Sequence, residues 1–589
     1  MTDSFAPQIT ESNRPPASGQ QGSFLVVDCG HTNTTALFFD VTGGTYRMLA
    51  QASSGSTHAS PHYDVAVGIQ RAIQTIGDVL HRELLDEHGR VIHPAQNSQI
   101  GVDHFLLIIG CAQPLRTIVA GLLPEVSIAS ARRALSGNYV NLTHTFDLTG
   151  DWPIQRQLSA IRRARPDLIF IAGGIEGGAD ERVLQLVDAA SIGVLQFPIA
   201  DRPKIIYAGN SALREKVRNK VGTIASLHVA ENVRPHLAQE QLADAQRLVN
   251  ELFTATNLDR VPGVHQVASW ASTPPMPTFQ ALRLVIDYLA ALTQNTILSV
   301  DVGSDTVTVL ESSPEQTRMA IRPEWGVGQW AHKVLQERGE ANLARWLPEE
   351  ADSDRLQTYL INRELFPNTL PMSLRGLRLL QALVQETLTA VVESIAADWQ
   401  WQNNQFPAPN LVILRGNTLV NMPRPSQAIL AFLNSFQPQG VFSVALDRYH
   451  LLPAVGLLGT QLPIAAVQVL EQGVLLDLGW VAVVHGRGNA GDIALKLTVQ
   501  SPRLGQLDFE IAWGTLEIIP IPLGESAHLT LKPERGFDVG AGAGKERTLT
   551  IHGGRVGLMI DARGRPLILP TEADAQQQLV RQWLWDTGG

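Results

Sequence analysis

Two short segments in different halves of the chain carry the residue types that handle phosphate. VVDCGHTNTTALFFD (26–40) places Asp28 at the end of an apolar run, then Gly30, Thr32 and Thr34. SVDVGSDTVTVLE (299–311) repeats the layout with Asp301, Gly303, Ser304 and Thr306. Each reads as strand, tight turn, strand. A glycine in such a turn lets backbone N–H groups approach an anion closely, and the hydroxyls add donors. An aspartate cannot touch phosphate without repulsion, so its natural role is to hold Mg²⁺ through water. Either segment alone is equally well explained as an ordinary hairpin with Asp and Gly in the turn. As a pair they predict two turns facing one another across a cleft and clamping a nucleoside triphosphate.

Other candidate motifs carry less. AGGIEGG (172–178) follows a strand, but its spacing is not GxGxxG, and a tight turn is expected. GAGAGKE (540–546) fails the phosphate-loop pattern twice, with Val539 at the first glycine position and Glu546 at the hydroxyl position; a β-connection is expected. His58 and His62 are separated by Pro61, which argues against a helical metal pair, and spacing suggests no third ligand. Cys29 is expected as a small turn residue, and Arg132 and Arg133 as solvated helix surface. No Ser-His-Asp or Cys-His signature appears in its expected context.

The elements around these motifs alternate. Phe24–Asp28, His104–Gly110, Pro166–Gly174 and Pro203–Asn210 read as strands, the last two ending in Gly turns before helix-like segments, a β-α-β pattern. Ala66–Leu85, Ser127–Leu135 and Ala281–Leu292 read as helices, with Ser127 as an N-cap and Gly137 as a stop. Between Gly376 and Trp399, apolar residues recur every three or four positions, predicting a one-faced amphipathic helix that packs on Leu411–Asn417. Beyond residue 470 short alternating strands with Gly- and Pro-rich turns predict a β domain, closed by a helix at Glu572–Trp585.

Composition narrows the function classes. At 589 residues the chain is too long for one ordinary core, and 44% hydrophobic residues exclude a wholly disordered or fibrous protein. A net charge of −10 excludes a dedicated nucleic-acid binder, which needs a basic stripe. Two cysteines cannot form a disulfide framework and read as reduced cytosolic thiols. The apolar run Leu451–Leu470 is broken by Pro453, Pro463 and polar residues, so no membrane span is expected. The first 22 residues lack a basic and an apolar region and read as a disordered lead-in rather than a signal peptide.

The chain also resembles a family. The paired hairpins are similar to those of the actin, sugar-kinase and heat-shock chaperone ATPase superfamily. In more detail, residues 24–470 resemble the MutL accessory proteins of adenosylcobalamin-dependent glutamate mutase. The resemblance runs in order through DCGHTNTTA, IIGCAQPLRTIVAGLLPEVSIASARRALSG, PDLIFIAGGIEGG, KIIYAGN, ENVRP, VDVGSDTVTV and AVGLLG. It implies an α/β fold with two ATPase-like lobes of mixed sheet and helices (duplicated ribonuclease H-like), followed here by an all-β domain. The expected domains are a lead-in over 1–22, a first lobe with insertions over 23–275, a second lobe over 276–470 and a β-rich region over 471–589.

The resemblance implies ATP and Mg²⁺ as ligands and a cobalamin-dependent mutase as partner, in the cytoplasm. Asp28 and Asp301 would position metal and water as the catalytic pair. Gly30, Thr32, Thr34, Gly303, Ser304 and Thr306 would bind phosphates, and Gly416 would lie near the adenosine. Departures from the family pattern weaken the enzymatic part. His31 replaces a serine, Thr35 a lysine and Thr308 a carboxylate, and in LRGNTLV only Gly416 survives from a Gly-rich adenosine loop. These argue against efficient hydrolysis. The alternative is a pseudo-ATPase scaffold that binds partners without turnover. A small-molecule kinase would need a catalytic base, and none is evident.

Overall fold

The run FLVVDC has apolar side chains at nearly every position and is covered on both faces, which suits a central strand. In the computed structural model, which describes residues 22–147, 153–399, 401, 406 and 408–588, Phe24–Cys29 lies inside a five-stranded mixed sheet. The sheet runs Met276–Pro277, His104–Ile109, Phe24–Cys29, Asn33–Thr42, Thr45–Gly55. Phe24–Cys29 pairs parallel with His104–Ile109 and antiparallel with Asn33–Thr42. Of the lead-in expected over residues 1–22, all but Gly22 lies outside the described residues. The helix Val65–Leu80 starts where Asp64 accepts the Ala66 N–H at 2.9 Å, and it buries Val65, Ile69, Ile73 and Ile76.

The chain divides into two compact units: Met1–Cys111, Pro262–Arg318 and Glu324–Gly589 form one, and Ala112–Val261 with Met319–Pro323 the other. In the first unit a second sheet is built around Ile297–Val302, which pairs antiparallel with Thr306–Ser312 and parallel with Leu411–Arg415. It continues through Gly440–Leu446, Leu476–Val483, Gly557–Asp561 and Leu516–Ile519. The helices Thr278–Thr293 and Leu452–Gln461 pack so closely that a Cβ on Gly456 would lie 1.9 Å from the Ala281 carbonyl oxygen. The two-lobed α/β expectation is borne out.

Residues beyond 470 are strand-rich as expected, but their border with the second lobe is not a gap. Leu476–Val483, Gly557–Asp561 and Leu516–Ile519 extend that lobe's sheet. The remaining long strands form a four-stranded antiparallel sheet, ordered Gly505–Ala512, Ile493–Ser501, Ser526–Pro533, Arg547–His552. Its Leu495, Leu497, Val499 and Leu529 share one core with Ala482, Leu558 and Ile560 of the extended sheet. The closing helix is Ala573–Asp586.

The expected amphipathic helix forms as Leu374–Asp398, but its middle is not one-faced. Gln381, Gln385, Glu386 and Thr387 are buried along with Leu380, Leu383, Val384 and Leu388. Donors from neighbouring elements meet Gln385 and Glu386 on this polar side. Arg338 Nε, Arg345 Nη2 and Trp346 Nε1 reach Glu386 at 2.6, 2.7 and 3.0 Å, and Asn434 donates to Gln385 Oε1 at 2.5 Å.

The second unit is an all-parallel sheet in the order Val140–Phe146, Leu115–Ala120, Leu168–Ile171, Lys204–Tyr207, Leu227–Val229. Its strand order is therefore 2-1-3-4-5, the flavodoxin-like doubly wound arrangement. Ser127 does not cap a helix as expected. It sits one turn inside a π-turn, Pro124–Ile128, and its hydroxyl accepts the Leu122 and Leu123 N–H groups at 2.8 and 3.0 Å. Arg133 is likewise not free surface, since it pairs with Glu240 in a half-buried cluster joined by Ser130 and Arg234; Arg132 is exposed. AGGIEGG is a tight turn, with Gly174 and Gly177 at φ of 74° and 70°. The Glu176 carboxylate in that turn accepts from Ser211 and Asn232.

Candidate functional site

The two Asp-x-Gly hairpins are built in the same register. Asp28 lies opposite Thr35 and Asp301 opposite Thr308. Gly30 N donates to Asn33 O and Gly303 N to Thr306 O, both at 2.9 Å. Each glycine N–H is thus used inside its own turn. Both hairpins lie in the first unit, and the structure brings them together. His31 Nε2 of the first turn stands 3.5 Å from Asp305 Oδ2 of the second. Asn368, from the second lobe, donates to the Thr32 carbonyl at 2.9 Å.

At the centre is a buried arginine that ends the strand Leu411–Arg415. Arg415 is the parallel-strand partner of Asp301, and only 4% of it is exposed. Its Nη1 donates to Asp301 Oδ2 at 2.5 Å and its Nε to Asp447 Oδ2 at 3.4 Å. Asp447 is fully buried, and its carboxylate also accepts the Leu451 and Leu452 N–H groups at 2.8 and 3.3 Å. Asp28 accepts from Thr278 Oγ1 at 3.1 Å. Burial pushes the Asp28 carboxyl up to about 6, against the pull of Arg415 and the Thr278 hydrogen bond, while Asp301 and Asp447 add to the rise. Burial disfavours the Arg415 charge, but Asp301, Asp447 and Asp28 more than offset this and hold its pKa above the ordinary arginine value.

The expected phosphate ligands are placed unevenly. Thr34 is turned inward, 1% exposed, and gives its hydroxyl to Cys29 Sγ at 3.7 Å, so it does not face the second turn. The reason is the pleat: Thr34 pairs with Cys29, and both side chains lie on the core side of the sheet. Ser304 is also redirected. The segment Gly326–Gln329 lies against this turn, with Gly328 N and Gln329 N donating to the Ser304 carbonyl at 3.0 and 2.9 Å. A Cβ on Gly328 would stand 2.0 Å from Ser304 Oγ, and that buried hydroxyl has no hydrogen-bond partner among the described residues. Thr306 donates to Asp305 Oδ2 at 3.0 Å, and Trp330 Nε1 donates to Asp305 Oδ1 at 2.7 Å. Gly416 sits against the second turn itself, where at φ 98° its missing Cβ makes room for Val302 O. Thr32 and Gly30 stay half-buried at the first turn.

His31 is the second functional candidate that the sequence did not single out. Burial lowers its pKa, partly offset by Asp305 and the Gly110 carbonyl. His58 meets it edge-on at 5.4 Å, and burial followed by the neighbouring His31 takes His58 down to about 4. Both histidines are therefore neutral at pH 7, and His31 meets Asp305 without a full ion pair. The only sequence signal for Arg415 and Asp447 was that each ends an apolar strand, LVILR and VFSVAL followed by Asp447.

The donor set does not fit the Mg²⁺ expected at Asp28 and Asp301. Mg²⁺ demands about six oxygen ligands at about 2.0–2.1 Å and keeps several waters. Here Asp301 and Asp447 already hold a guanidinium, and Asp28 accepts the Thr278 hydroxyl. Among the described residues no group of three or more His, Cys, Asp or Glu is arranged to hold a metal ion. GAGAGKE is no alternative anion site, because Asp538 Oδ1 accepts the Gly540, Ala541 and Gly542 N–H groups at 2.7, 3.0 and 2.9 Å.

Comparison with known proteins places these features in a lineage. The family model described as MutL protein matches residues 24–474. Protein MutL of Clostridium tetanomorphum is 22% identical over 493 residues, covering 76% of this chain and 98% of the relative. Among solved structures, nucleotide-free acetone carboxylase is 10% identical with a TM-score of 0.30, covering 83% of this chain and 81% of its own. Xylulose kinase from Bifidobacterium adolescentis is 10% identical with a TM-score of 0.27, covering 78% and 96%. Structural likeness at that level carries no functional weight.

Proposed function

Because the chain belongs to the MutL family, we propose that it is a non-hydrolysing accessory protein to a cobalamin-dependent mutase, working through partner binding and lobe position. The observation that carries this is Arg415. A buried guanidinium between Asp301 and Asp447, with Asp28 in its field, stands where hydrolysis would need a metal-bound water. One guanidinium offsets part of the charge of the Asp301, Asp447 and Asp28 carboxylates. His31 against Asp305 joins the two turns, and Asn368 holds the first turn at the Thr32 carbonyl.

The matching register of the two hairpins and their convergence favour a second reading within the first: a nucleotide acts as a conformational ligand that biases closure without being consumed. Calorimetry with ATP and ADP, alongside phosphate release, separates the cases. ATP affinity without turnover supports the ligand-gated form, and no affinity leaves the scaffold alone. Sustained phosphate release that Asp301→Asn abolishes overturns the proposal. Co-purification with a cobalamin-dependent mutase encoded beside this gene tests the partner; no association with that mutase, with or without nucleotide, refutes that part.

A further inference from the structure

We infer that a recess around Arg82 binds a free aliphatic α-amino acid as its zwitterion. The recess lies where Ser23 leads into Phe24–Cys29, at the opposite end of that strand from Asp28, and holds about 510 Å³. Clefts of about 300–1,000 Å³ are the size that takes small molecules. Arg82 follows the helix Val65–Leu80, and its side chain is only 9% exposed. Its Nε donates to the Gly101 carbonyl at 2.7 Å, and the guanidinium lies over the Phe38 ring, 5.0 Å from the ring centre. The terminal nitrogens are held less closely: Nη1 reaches Asp40 Oδ2 at 3.4 Å and Nη2 reaches Ser23 Oγ at 3.3 Å. Each terminal nitrogen carries two N–H groups, so among the described residues each keeps one donor unused. A guanidinium fixed in place with a pair of donors to spare matches a carboxylate, which takes both at once.

The walls of the recess also carry Asp40 and Asp103. Asp103 Oδ2 accepts the Ser23 N–H and hydroxyl at 2.8 and 2.9 Å, whereas among the described residues Asp40 Oδ2 has only the long contact to Arg82. A simple anion would be repelled by the two carboxylates, and a simple cation by Arg82. A molecule that carries both charges meets a partner for each. Arg82 Nη1 and Asp40 Oδ2 stand 3.4 Å apart, so the two charges to be met are neighbours. That spacing fits an ammonium and a carboxylate on one carbon, not at opposite ends of a chain. Leu49, Leu80 and Ala95 supply the apolar part of the lining, against which an aliphatic side chain is buried.

Calorimetry on the full chain tests this with three probes of one shape: L-leucine, 4-methylpentanoate, which lacks the amine, and isopentylamine, which lacks the carboxylate. Wild type is expected to bind one leucine per chain and each analogue at least about tenfold more weakly, the worth of one lost charge-assisted contact. Asp40→Asn keeps the shape and removes the ammonium's partner; it is expected to weaken leucine about tenfold and not to weaken 4-methylpentanoate. Ala95→Phe fills the recess and is expected to abolish binding of all three. Wild type that takes up no leucine at about 10 mM overturns the inference, as do analogues that bind as tightly as leucine. Undiminished leucine affinity in folded Asp40→Asn or Ala95→Phe overturns it too. Should neither variant fold, the ranking of the three probes on wild type still decides.

Discussion

Replacing Asp28 by Asn tests the electrostatics of the centre without altering its shape. The amide keeps an Oδ1 that can accept the Thr278 hydroxyl, and it cannot ionise. In wild type the folded-state pKa rises from the ordinary 3.8 to about 6, chiefly through burial. The folded protein therefore binds this proton more tightly than the unfolded chain. Wild type loses stability as pH climbs from about 4 through about 6, and the loss levels off above that. At about 1.4 kcal/mol per pKa unit, the whole loss is about 3 kcal/mol, of which roughly half falls between pH 5 and pH 8. Asp28→Asn lacks this loss. Hydrogen exchange of the Phe24–Cys29 strand, taken as the variant-to-wild-type ratio of protection, cancels the intrinsic pH dependence of exchange. The ratio should be roughly tenfold larger at pH 8 than at pH 5. A constant offset between the proteins would reflect only how the amide packs. A ratio that stays flat across this range refutes the account of Asp28.

Three further outcomes follow from packing and charge. Gly416→Ala places a Cβ 2.2 Å from Val302 O at φ 98°, so a loss of at least about 1–3 kcal/mol is expected in thermal or urea unfolding, and unchanged stability would contradict it. Asp561→Ala leaves Arg563 and Arg565, whose side chains are 1% and 2% exposed, without their buried carboxylate; a cost of about 3–5 kcal/mol should appear as a lowered melting temperature, and a shift within error would refute it. Ending the chain at residue 470 removes Leu476–Val483 from beside Gly440–Leu446 and uncovers that buried strand; aggregation is expected, and a soluble fragment with native circular dichroism would show the later strands to be dispensable.

The periodicity and turn chemistry of the sequence determined the local elements. Phe24–Cys29 and Ile297–Val302 are apolar runs ending in Asp-x-Gly, and both fold as hairpins in one register because glycine permits the turn and the flanking residues favour strands. The same holds in the parallel unit for Leu168–Ile171 and Lys204–Tyr207, whose apolar runs end in Gly-containing loops. Tertiary structure decided what those elements do to one another. No local pattern says that Arg415 will point into the carboxylates of Asp301 and Asp447, since the three are separated in sequence and meet only through strand order. Periodicity likewise read Leu374–Asp398 as one-faced, because a buried polar face looks the same as a solvated one until Arg338, Arg345 and Asn434 arrive to cover it. Strand pairing across residue 470 was hidden for a related reason: alternation sets which face of a strand is buried, whereas its neighbour is chosen by the core it completes.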